Sequence, residues 1–255
     1  MRRAIIGGTG VYDVDSNVVI RIISTEYGEV EVQIRMVNGK EIVFLPRHGK
    51  GHSKPPHLIN YRANIMALKE LGVTHIYSTC AVGSLNDAYG LGDVMLITDF
   101  LDFTKARIHT FHDGSDGVKH TDMSDPYCKN LRENFQDKAK EFNIDIKGSG
   151  VYVCTEGPRF ETASEIKMYG KMGGDVVGMT NVPEVVLAKE LGICYSAIGI
   201  VTNWCTGFKS DDIQMHDISA FVAKNKEGIT NCFIEILSSE IEEDKCNCKN
   251  SVLKL

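Results

Sequence analysis

The chain has 255 residues, of which 43% are hydrophobic and 24% are charged, and its formal net charge is −6. This length and composition are typical of a soluble α/β protein, so we expect residues 1–255 to form one domain with a polar tail from about residue 243. The mild acidity argues against nucleic-acid binding. The chain also has no apolar run of membrane-spanning length and no apolar signal-peptide region, so we expect a cytoplasmic protein that binds no membrane.

Apolar strands alternate with helical segments along the chain, which predicts an α/β fold with a central mixed β-sheet flanked by helices. The predicted strands are Arg3–Ile6, Val30–Met36, Glu41–Leu45, Thr74–Thr79, Val94–Ile97, Gly150–Cys154, Asp175–Val177 and Cys194–Thr202. The predicted helical segments are Leu58–Leu71, Tyr127–Phe142, Val182–Leu191 and Asp211–Glu242. The pair Asn38-Gly39 predicts a hairpin turn, and Arg107–Met123 a long surface loop. Several strands run into glycine and then a helix, so we expect a ligand site at the carboxyl edge of the sheet.

Residues that suit an anion follow several of these strands. The segment Gly7–Gly10 reads GGTG, in which glycines let the backbone approach an anion and Thr9 adds a hydroxyl; a tight turn without a ligand is the alternative. Arg47 and His48 follow another strand and can both donate to phosphate, although a surface pair at a strand end would look the same. Cys80-Ala81 and Thr180 end two further strands and would complete a phosphate site.

The sequence gives little support for a redox cofactor or a metal ion. The dinucleotide motif G-x-G-x-x-G and the P-loop lysine are absent, so we expect no redox cofactor. His48 and His52 have the H-x-x-x-H spacing of some zinc sites. The glycines between them disfavour the helix that such a site requires, so we expect no metal.

Eight cysteines are present, and most lie in apolar segments where we expect small buried side chains. Cys246 and Cys248 instead form a C-x-C pair in the polar tail. A C-x-C pair alone offers too few ligands for zinc, and intracellular disulfides are plausible mainly in hyperthermophiles. We therefore expect an exposed tail, with a redox pair or a disulfide bracing the chain end as alternatives.

Six segments together carry a family resemblance: IIGGTG, RHGKGH, INYRANIMALKELG, GVYVCTEGPRFET, VVGMTNVPEVVLAKELGICY and IVTNWCTG. From about Ala4 to His216 the chain resembles the trimeric purine nucleoside phosphorylases, including their methylthioadenosine phosphorylase branch. The resemblance implies a nucleoside phosphorylase-like fold, a homotrimer or dimer of trimers, and inorganic phosphate as co-substrate. The phosphate-binding residues that it implies are Thr9, Arg47, His48, the Cys80–Ala81 backbone region and Thr180, with Met179 under the ribose. The methylthioadenosine branch tends to have threonine at the position of Cys80.

The residues expected to face the base decide the purine class. Phe160 can stack on a purine, Glu161 can accept from the N1–H that 6-oxopurines carry and neutral adenine lacks, and Asn203 can donate to O6 or N7. The adenine-specific branch has a small polar residue at the Glu161 position and aspartates at the positions of Asn203 and Cys205, so the resemblance is to the hypoxanthine- and guanine-handling branch. Taken singly, Glu161 could cap a helix, Asn203 could form a turn, and Phe160 and Met179 could be ordinary packing residues.

Two histidines bear on the sugar. His216 aligns with a 5′-hydroxyl-binding histidine of nucleoside-preferring members, whereas methylthio-preferring members have a small apolar residue there; a solvent-facing histidine is the alternative. His120 lies in the long loop, which in the family can reach a neighbouring subunit's sugar pocket.

The sequence therefore predicts a purine nucleoside phosphorylase that acts on inosine or guanosine, with Asn203, Glu161 and His48 in catalytic roles. S-methyl-5′-thioinosine phosphorylase is the nearest alternative. A hydrolase that uses water in place of phosphate is a further one, and a non-enzymatic purine-binding module is an alternative of a different class.

Overall fold

The structure is a computed structural model that describes residues 2–8, 18–209 and 215–254. The strands are β1 (Arg2–Gly7), β2 (Val19–Thr25), β3 (Gly28–Val37), β4 (Lys40–Pro46), β5 (Val73–Ser84), β6 (Val94–Phe103), β7 (Lys119–Thr121), β8 (Ile146–Thr155), β9 (Val176–Gly178), β10 (Cys194–Trp204) and β11 (Val252–Lys254). The helices are α1 (Tyr61–Glu70), α2 (Lys129–Ala139), α3 (Ala163–Lys171), α4 (Asn181–Glu190) and α5 (Met215–Ser238).

Nine strands form one sheet in the order β10-β6-β8-β9-β5-β1-β4-β3-β2, and β10 also pairs with β5. The strands β5, β10, β6, β8 and β9 therefore close on themselves, while β1, β4, β3 and β2 extend the sheet from β5. Parallel pairs such as β1–β5 and β5–β10 occur beside antiparallel pairs such as β5–β9 and β6–β10. The predicted mixed α/β sheet flanked by helices is confirmed.

The core lies on both faces of this sheet. Along β1, Ala4 and Ile6 belong to one buried cluster and Ile5 to another, as the alternation of side chains along a strand requires. The first cluster includes apolar residues of α1 and α4, and the second includes those of α2 and α5. No helix among the described residues is long and apolar enough to cross a membrane.

The hairpin predicted at Asn38-Gly39 is confirmed, since β3 and β4 are antiparallel and both turn residues have positive φ (50° and 75°). The predicted end of β5 at Thr79 is wrong. The strand continues through Cys80 and Ala81 to Ser84, because these residues pair with Gly199 and Ile200 and the residues that follow them in β10. Cys80 and Ala81 therefore lie within a strand and not at its end.

The expectation of an exposed tail is wrong for its cysteines: most of residues 244–254 are exposed, but Cys246 is half-buried and Cys248 is buried. Cys248 and Ser251 are each 2% exposed, and the Ser251 hydroxyl donates to the Lys189 carbonyl at 2.7 Å. Residues Val252–Lys254 form β11, which pairs antiparallel with β7 inside the long predicted loop. Neither strand shows a clear alternating pattern in the sequence, because each is only three residues long.

Candidate functional site

The carboxyl ends of β1 and β4, beside the middle of β5, bring the glycine segment and the arginine together. Gly7 pairs with Pro46 across β1 and β4, and the Arg47 amide donates to the Gly7 carbonyl at 3.2 Å. A Cβ atom at Gly8 would lie 3.1 Å from Arg47 Nη1 and 3.2 Å from the Thr79 carbonyl oxygen. Glycine at this position therefore lets the backbone approach the guanidinium. Thr9 lies outside the described residues.

Arg47 is buried and held in a fixed orientation. Its Nε and Nη2 donate to the two carboxylate oxygens of Glu184 at 2.7 and 2.8 Å, and both side chains are 0% exposed. Nη1 donates to the Thr79 carbonyl at 2.9 Å, and Nη2 also donates to the Ser78 hydroxyl. The guanidinium is therefore oriented before any ligand binds, and the buried carboxylate compensates its charge.

Glu184 is the main site residue that the sequence reasoning missed. It lies in the first turn of α4, where acidic residues are common because of the helix dipole, so its position gave no sign of a distant partner. Besides Arg47, it accepts hydrogen bonds from the Tyr195 hydroxyl at 2.6 Å and from the Ser78 hydroxyl at 3.2 Å. The network therefore ties α4 to β5 and β10.

His48 is 5% exposed, and its Nδ1 lies 2.9 Å from the Lys54 carbonyl oxygen. A carbonyl oxygen only accepts, so Nδ1 carries the proton, and in the neutral ring Nε2 has a lone pair. This contact fixes the orientation of the ring directly after Arg47 in the chain.

Cys80 and Thr180 lie on different elements of the same region. Cys80 is 2% exposed, its Sγ lies 3.6 Å from the Ile198 carbonyl oxygen, and burial raises the pKa of its thiol to about 12. The thiol therefore stays protonated. Thr180 is the N-cap of α4 but makes no side-chain capping bond, and its amide donates to the Tyr152 hydroxyl at 3.1 Å.

A second group of predicted residues surrounds Gly83 in β5. Gly83 pairs with Asn203 across β5 and β10, and a Cβ atom there would lie 3.0 Å from Asn203 Nδ2 and 2.9 Å from Cys205 Sγ. The pKa of the Cys205 thiol is raised by burial and, to a smaller extent, by the charge of Glu161. Asn203, Cys205 and Glu161 are therefore neighbours in one corner of the molecule.

Glu161 and Asn203 have local hydrogen bonds that fix their orientation. Glu161 is 8% exposed and accepts from the Thr155 hydroxyl at 2.6 Å, whereas the cap of α3 is formed by Thr162 and Glu165. Asn203 Oδ1 accepts from the Thr202 hydroxyl at 3.0 Å, and its Nδ2 donates to the Trp204 carbonyl at 3.1 Å. Because an amide nitrogen carries two hydrogens, the second can donate to a ligand. The helix-cap and turn alternatives for these residues are wrong.

Phe160 and Met179 adjoin the same loop. Phe160 is 45% exposed, so it is not a core residue. Met179 packs against Gly157, where a Cβ atom would lie 2.6 Å from the methionine Sδ. Its carbonyl oxygen lies 3.5 Å from the Tyr61 hydroxyl. The glycine of the TEGPRFE segment therefore makes room for the residue predicted to lie under the ribose.

Arg107 is a second residue whose role the sequence did not reveal. Its side chain is 3% exposed and donates to the carbonyl oxygens of Val182 (2.6 Å) and Glu156 (2.7 Å). It thereby joins the long loop to the start of α4 and to the TEGPRFE segment. A single arginine in a loop rich in polar residues gives no sequence signal for this.

His120 and His216 are the two histidines predicted to bind the sugar. Among the described residues, no contact places either of them at this site. His120 is exposed on β7 and pairs with Leu253 of β11. The side chain of His216, at the start of α5, lies outside what the structure describes. Their roles stay predictions.

The chain is similar to known proteins over nearly its whole length. A family model described as "Phosphorylase superfamily" matches residues 2–238. The chain is 48% identical over 256 residues to the "Probable 6-oxopurine nucleoside phosphorylase" of Dictyoglomus turgidum, which covers 99% of this chain and 97% of that protein. It is 43% identical to the "6-oxopurine nucleoside phosphorylase" of Pyrococcus furiosus, with 98% and 97% covered. The solved structure of methylthioadenosine phosphorylase from Schistosoma mansoni in complex with adenine has a TM-score of 0.86 at 34% identity, covering 93% of this chain and 91% of that chain.

Proposed function

Because the chain belongs to the phosphorylase superfamily, we propose that it is a purine nucleoside phosphorylase acting on 6-oxopurine nucleosides. Inosine or guanosine and inorganic phosphate give hypoxanthine or guanine and ribose 1-phosphate, reversibly. The enzyme is a pentosyltransferase of purine salvage. It needs no covalent enzyme intermediate, because phosphate itself is the nucleophile.

The observation that carries this proposal is the grouping of Asn203 and Cys205 at Gly83, with Glu161 close enough for its charge to raise the pKa of the Cys205 thiol. A carboxylate that only accepts suits the N1–H of a 6-oxopurine, and an amide hydrogen suits O6 or N7. Neutral adenine has no N1–H and would leave the buried Glu161 carboxylate without a donor from the base. The carboxylate would then keep only the hydrogen bond from the Thr155 hydroxyl, and the lost bond from the base makes the site favour hypoxanthine and guanine.

The same donors explain how the glycosidic bond breaks. Phosphorolysis passes through an oxocarbenium-like sugar while negative charge develops on the leaving purine. The Asn203 amide stabilises that charge, and Glu161 fixes the orientation of the base. Phe160 stacks on the base, Met179 lies under the ribose and His216 orients the 5′-hydroxyl.

Phosphate is the second substrate. We assign it to Arg47, His48, Thr9, Thr180 and the Cys80–Ala81 backbone. The bidentate contact with Glu184 fixes the guanidinium of Arg47 beside Gly8, so its positive charge is preorganised for phosphate. His48, whose ring is held by the Lys54 carbonyl, adds a second side chain of the proposed phosphate site.

Base release from inosine, adenosine and 5′-methylthioinosine, each with and without phosphate, tests the proposal. We expect phosphate-dependent release from inosine and poor release from adenosine. A preference for 5′-methylthioinosine over inosine would instead identify an S-methyl-5′-thioinosine phosphorylase with an apolar 5′ pocket. Release without phosphate would identify a hydrolase, and purine binding with no release would identify a non-enzymatic purine-binding module.

The quaternary structure and location belong to the same proposal. We propose a cytoplasmic homotrimer or dimer of trimers, in which the loop carrying His120 reaches a neighbouring subunit's sugar pocket. Light scattering during size-exclusion chromatography measures the mass. A monomer that turns over inosine at the full rate would contradict the role of His120.

A further inference from the structure

Four cysteines from three distant parts of the chain converge at one point. Cys128 precedes α2, Cys194 opens β10, and Cys246 and Cys248 lie in the segment after α5. Their four Sγ atoms all lie within 4.8 Å of one another, and the Cys194 and Cys246 sulfurs are 3.4 Å apart. All four thiols are free. The other described cysteines do not take part in this group.

The spacing of the sulfurs suits a shared central ion. In a tetrahedral tetrathiolate site with Zn–S bonds of about 2.3 Å, neighbouring sulfurs lie roughly 3.8 Å apart. Ordinary core packing of cysteines, as small hydrophobic residues, gives no reason for four thiols to meet at one point. Cys128, Cys194 and Cys248 are at most 3% exposed, while Cys246 is half-buried and leaves a route for an ion to enter.

We propose that Cys128, Cys194, Cys246 and Cys248 bind one Zn²⁺ ion as a structural tetrathiolate site. Soft thiolate ligands select zinc among the common divalent cations, and four protein ligands fill its tetrahedral coordination sphere. No position is left for water or substrate, so the site has no catalytic function. The C-x-C pair, which alone offers two ligands, is completed by two residues that are distant in the sequence.

Positive charge around the cluster compensates the negative charge of this centre. Four thiols release four protons on binding Zn²⁺, which leaves a net charge of −2 on the ion and its ligands. Lys189 Nζ lies 3.9 Å from Cys248 Sγ, and Lys189 is only 7% exposed. Cys128 is the N-cap of α2, so its sulfur lies at the positive end of the helix dipole.

The site would fasten the end of the chain to the sheet. It joins the segment that contains Cys246 and Cys248 to β10 and to the start of α2. Directly beyond it, Ser251 contacts Lys189, and β11 pairs with β7. The zinc ion therefore supports the two-stranded sheet of β7 and β11, which carries His120. The ion itself lies outside the proposed active site.

The first experiment measures metal and thiols together in the full-length wild-type protein, purified under reducing conditions without chelator. We expect about one zinc per chain by plasma mass spectrometry. Zinc should protect four thiols from a thiol reagent until a strong chelator removes it. After reloading with Co²⁺, visible absorption typical of tetrahedral cobalt thiolate should appear.

Two matched variants locate the ion. Cys246→Ala removes a half-buried ligand and should lower zinc retention during dialysis at least tenfold. Cys232→Ala removes a buried cysteine of α5 that lies outside the cluster, and it should retain zinc as the wild type does. Equal zinc content in both variants would overturn the proposal.

The other outcomes on the wild-type protein also overturn it. A zinc-free protein in which mass spectrometry after digestion finds disulfides among these four residues would identify an oxidised brace. A zinc-free protein that takes up no added Zn²⁺ and keeps four accessible thiols would identify a cluster formed by packing. Neither result would affect the phosphorylase proposal, which rests on different residues.

Discussion

At the scale of single residues, Asn203 is the group on which the choice of base depends most directly. Its amide is oriented by Thr202 and Trp204, and one amide hydrogen can donate to the purine. An aspartate in its place keeps the shape but carries no donor and adds a negative charge where charge develops on the leaving base.

We therefore predict that Asn203→Asp lowers kcat/KM for inosine roughly 100-fold, the usual loss when one transition-state donor is removed, and reduces the preference for inosine over adenosine. Steady-state kinetics with both nucleosides measure this. Asn143→Asp, at an exposed position, serves as the control and should behave as the wild type. Unchanged inosine kinetics in Asn203→Asp would show that this amide does not contact the base.

The buried pair of Arg47 and Glu184 leads to a second prediction at this scale. Glu184→Gln keeps the shape of the side chain but leaves the guanidinium charge without its compensating carboxylate in a fully buried place. Removing one partner of a buried ion pair lowers the free energy of unfolding by about 3–5 kcal/mol. Because glutamine can still accept a hydrogen bond from Arg47, we expect a loss at the lower end, about 3 kcal/mol.

We expect the urea midpoint to fall accordingly and the KM for phosphate to rise, because Arg47 loses its fixed orientation. Glu70→Gln, an exposed position at the end of α1, is the matched control and should change the free energy of unfolding by less than about 0.5 kcal/mol. If both variants unfold at the same urea concentration, the pair does not hold the arginine in place.

At the scale of elements, the sequence predicts most strands and helices because hydrophobic periodicity and turn residues are local signals. The hairpin at Asn38-Gly39 is an example, since two adjacent residues suffice to define the turn. The end of β5, in contrast, is not set by a local signal. Its last residues extend because they pair with β10 and β9, which follow much later in the chain, and no local pattern carries that information.

The candidate site likewise contains residues that the sequence predicts and residues that only the fold brings together. Arg47, His48, Glu161 and Asn203 were predicted from residue type and family resemblance. Glu184 was not, because an acid in the first turn of a helix is common and its partner Arg47 lies 137 residues away. The four-cysteine cluster escaped prediction for the same physical reason: only the fold brings Cys128 and Cys194 to the C-x-C pair.

The close approach of β5 and β10 at Gly83 gives a prediction at this scale. Any side chain at Gly83 would push against Asn203 Nδ2 and Cys205 Sγ, which lie 3.0 and 2.9 Å from the position of a Cβ atom. Overpacking of this kind costs about 1–3 kcal/mol, and it would displace both side chains from the base corner.

We expect Gly83→Ala to lower kcat/KM for inosine at least roughly tenfold while the protein remains folded. Gly90→Ala is the control, since the nearest atom to a Cβ there is Asp93 Oδ2 at 3.6 Å, an ordinary contact. Circular dichroism and inosine kinetics on both variants make the comparison. Wild-type kinetics in Gly83→Ala would mean that the base does not contact this corner.

At the scale of the whole molecule, the proposed phosphate site joins parts of the chain that are far apart in sequence. Gly8 follows β1, Arg47 follows β4, Cys80 lies within β5 and Thr180 caps α4. These positions come together only in the folded chain, so the unfolded chain has no phosphate site. A ligand that binds only the folded state stabilises the entire molecule by mass action.

Phosphate should therefore raise the melting temperature in the absence of nucleoside. At a phosphate concentration about 100 times its Kd, the stabilisation is about 2.7 kcal/mol, which corresponds to roughly 5–10 °C for a chain of this length. Differential scanning calorimetry measures the shift, with sodium chloride at matched ionic strength as the control. Because a general salt effect would act equally with chloride, a shift specific to phosphate reports the anion site. Equal melting temperatures in the two salts would contradict the assignment of Arg47 and His48 to phosphate, even if inosine were still cleaved.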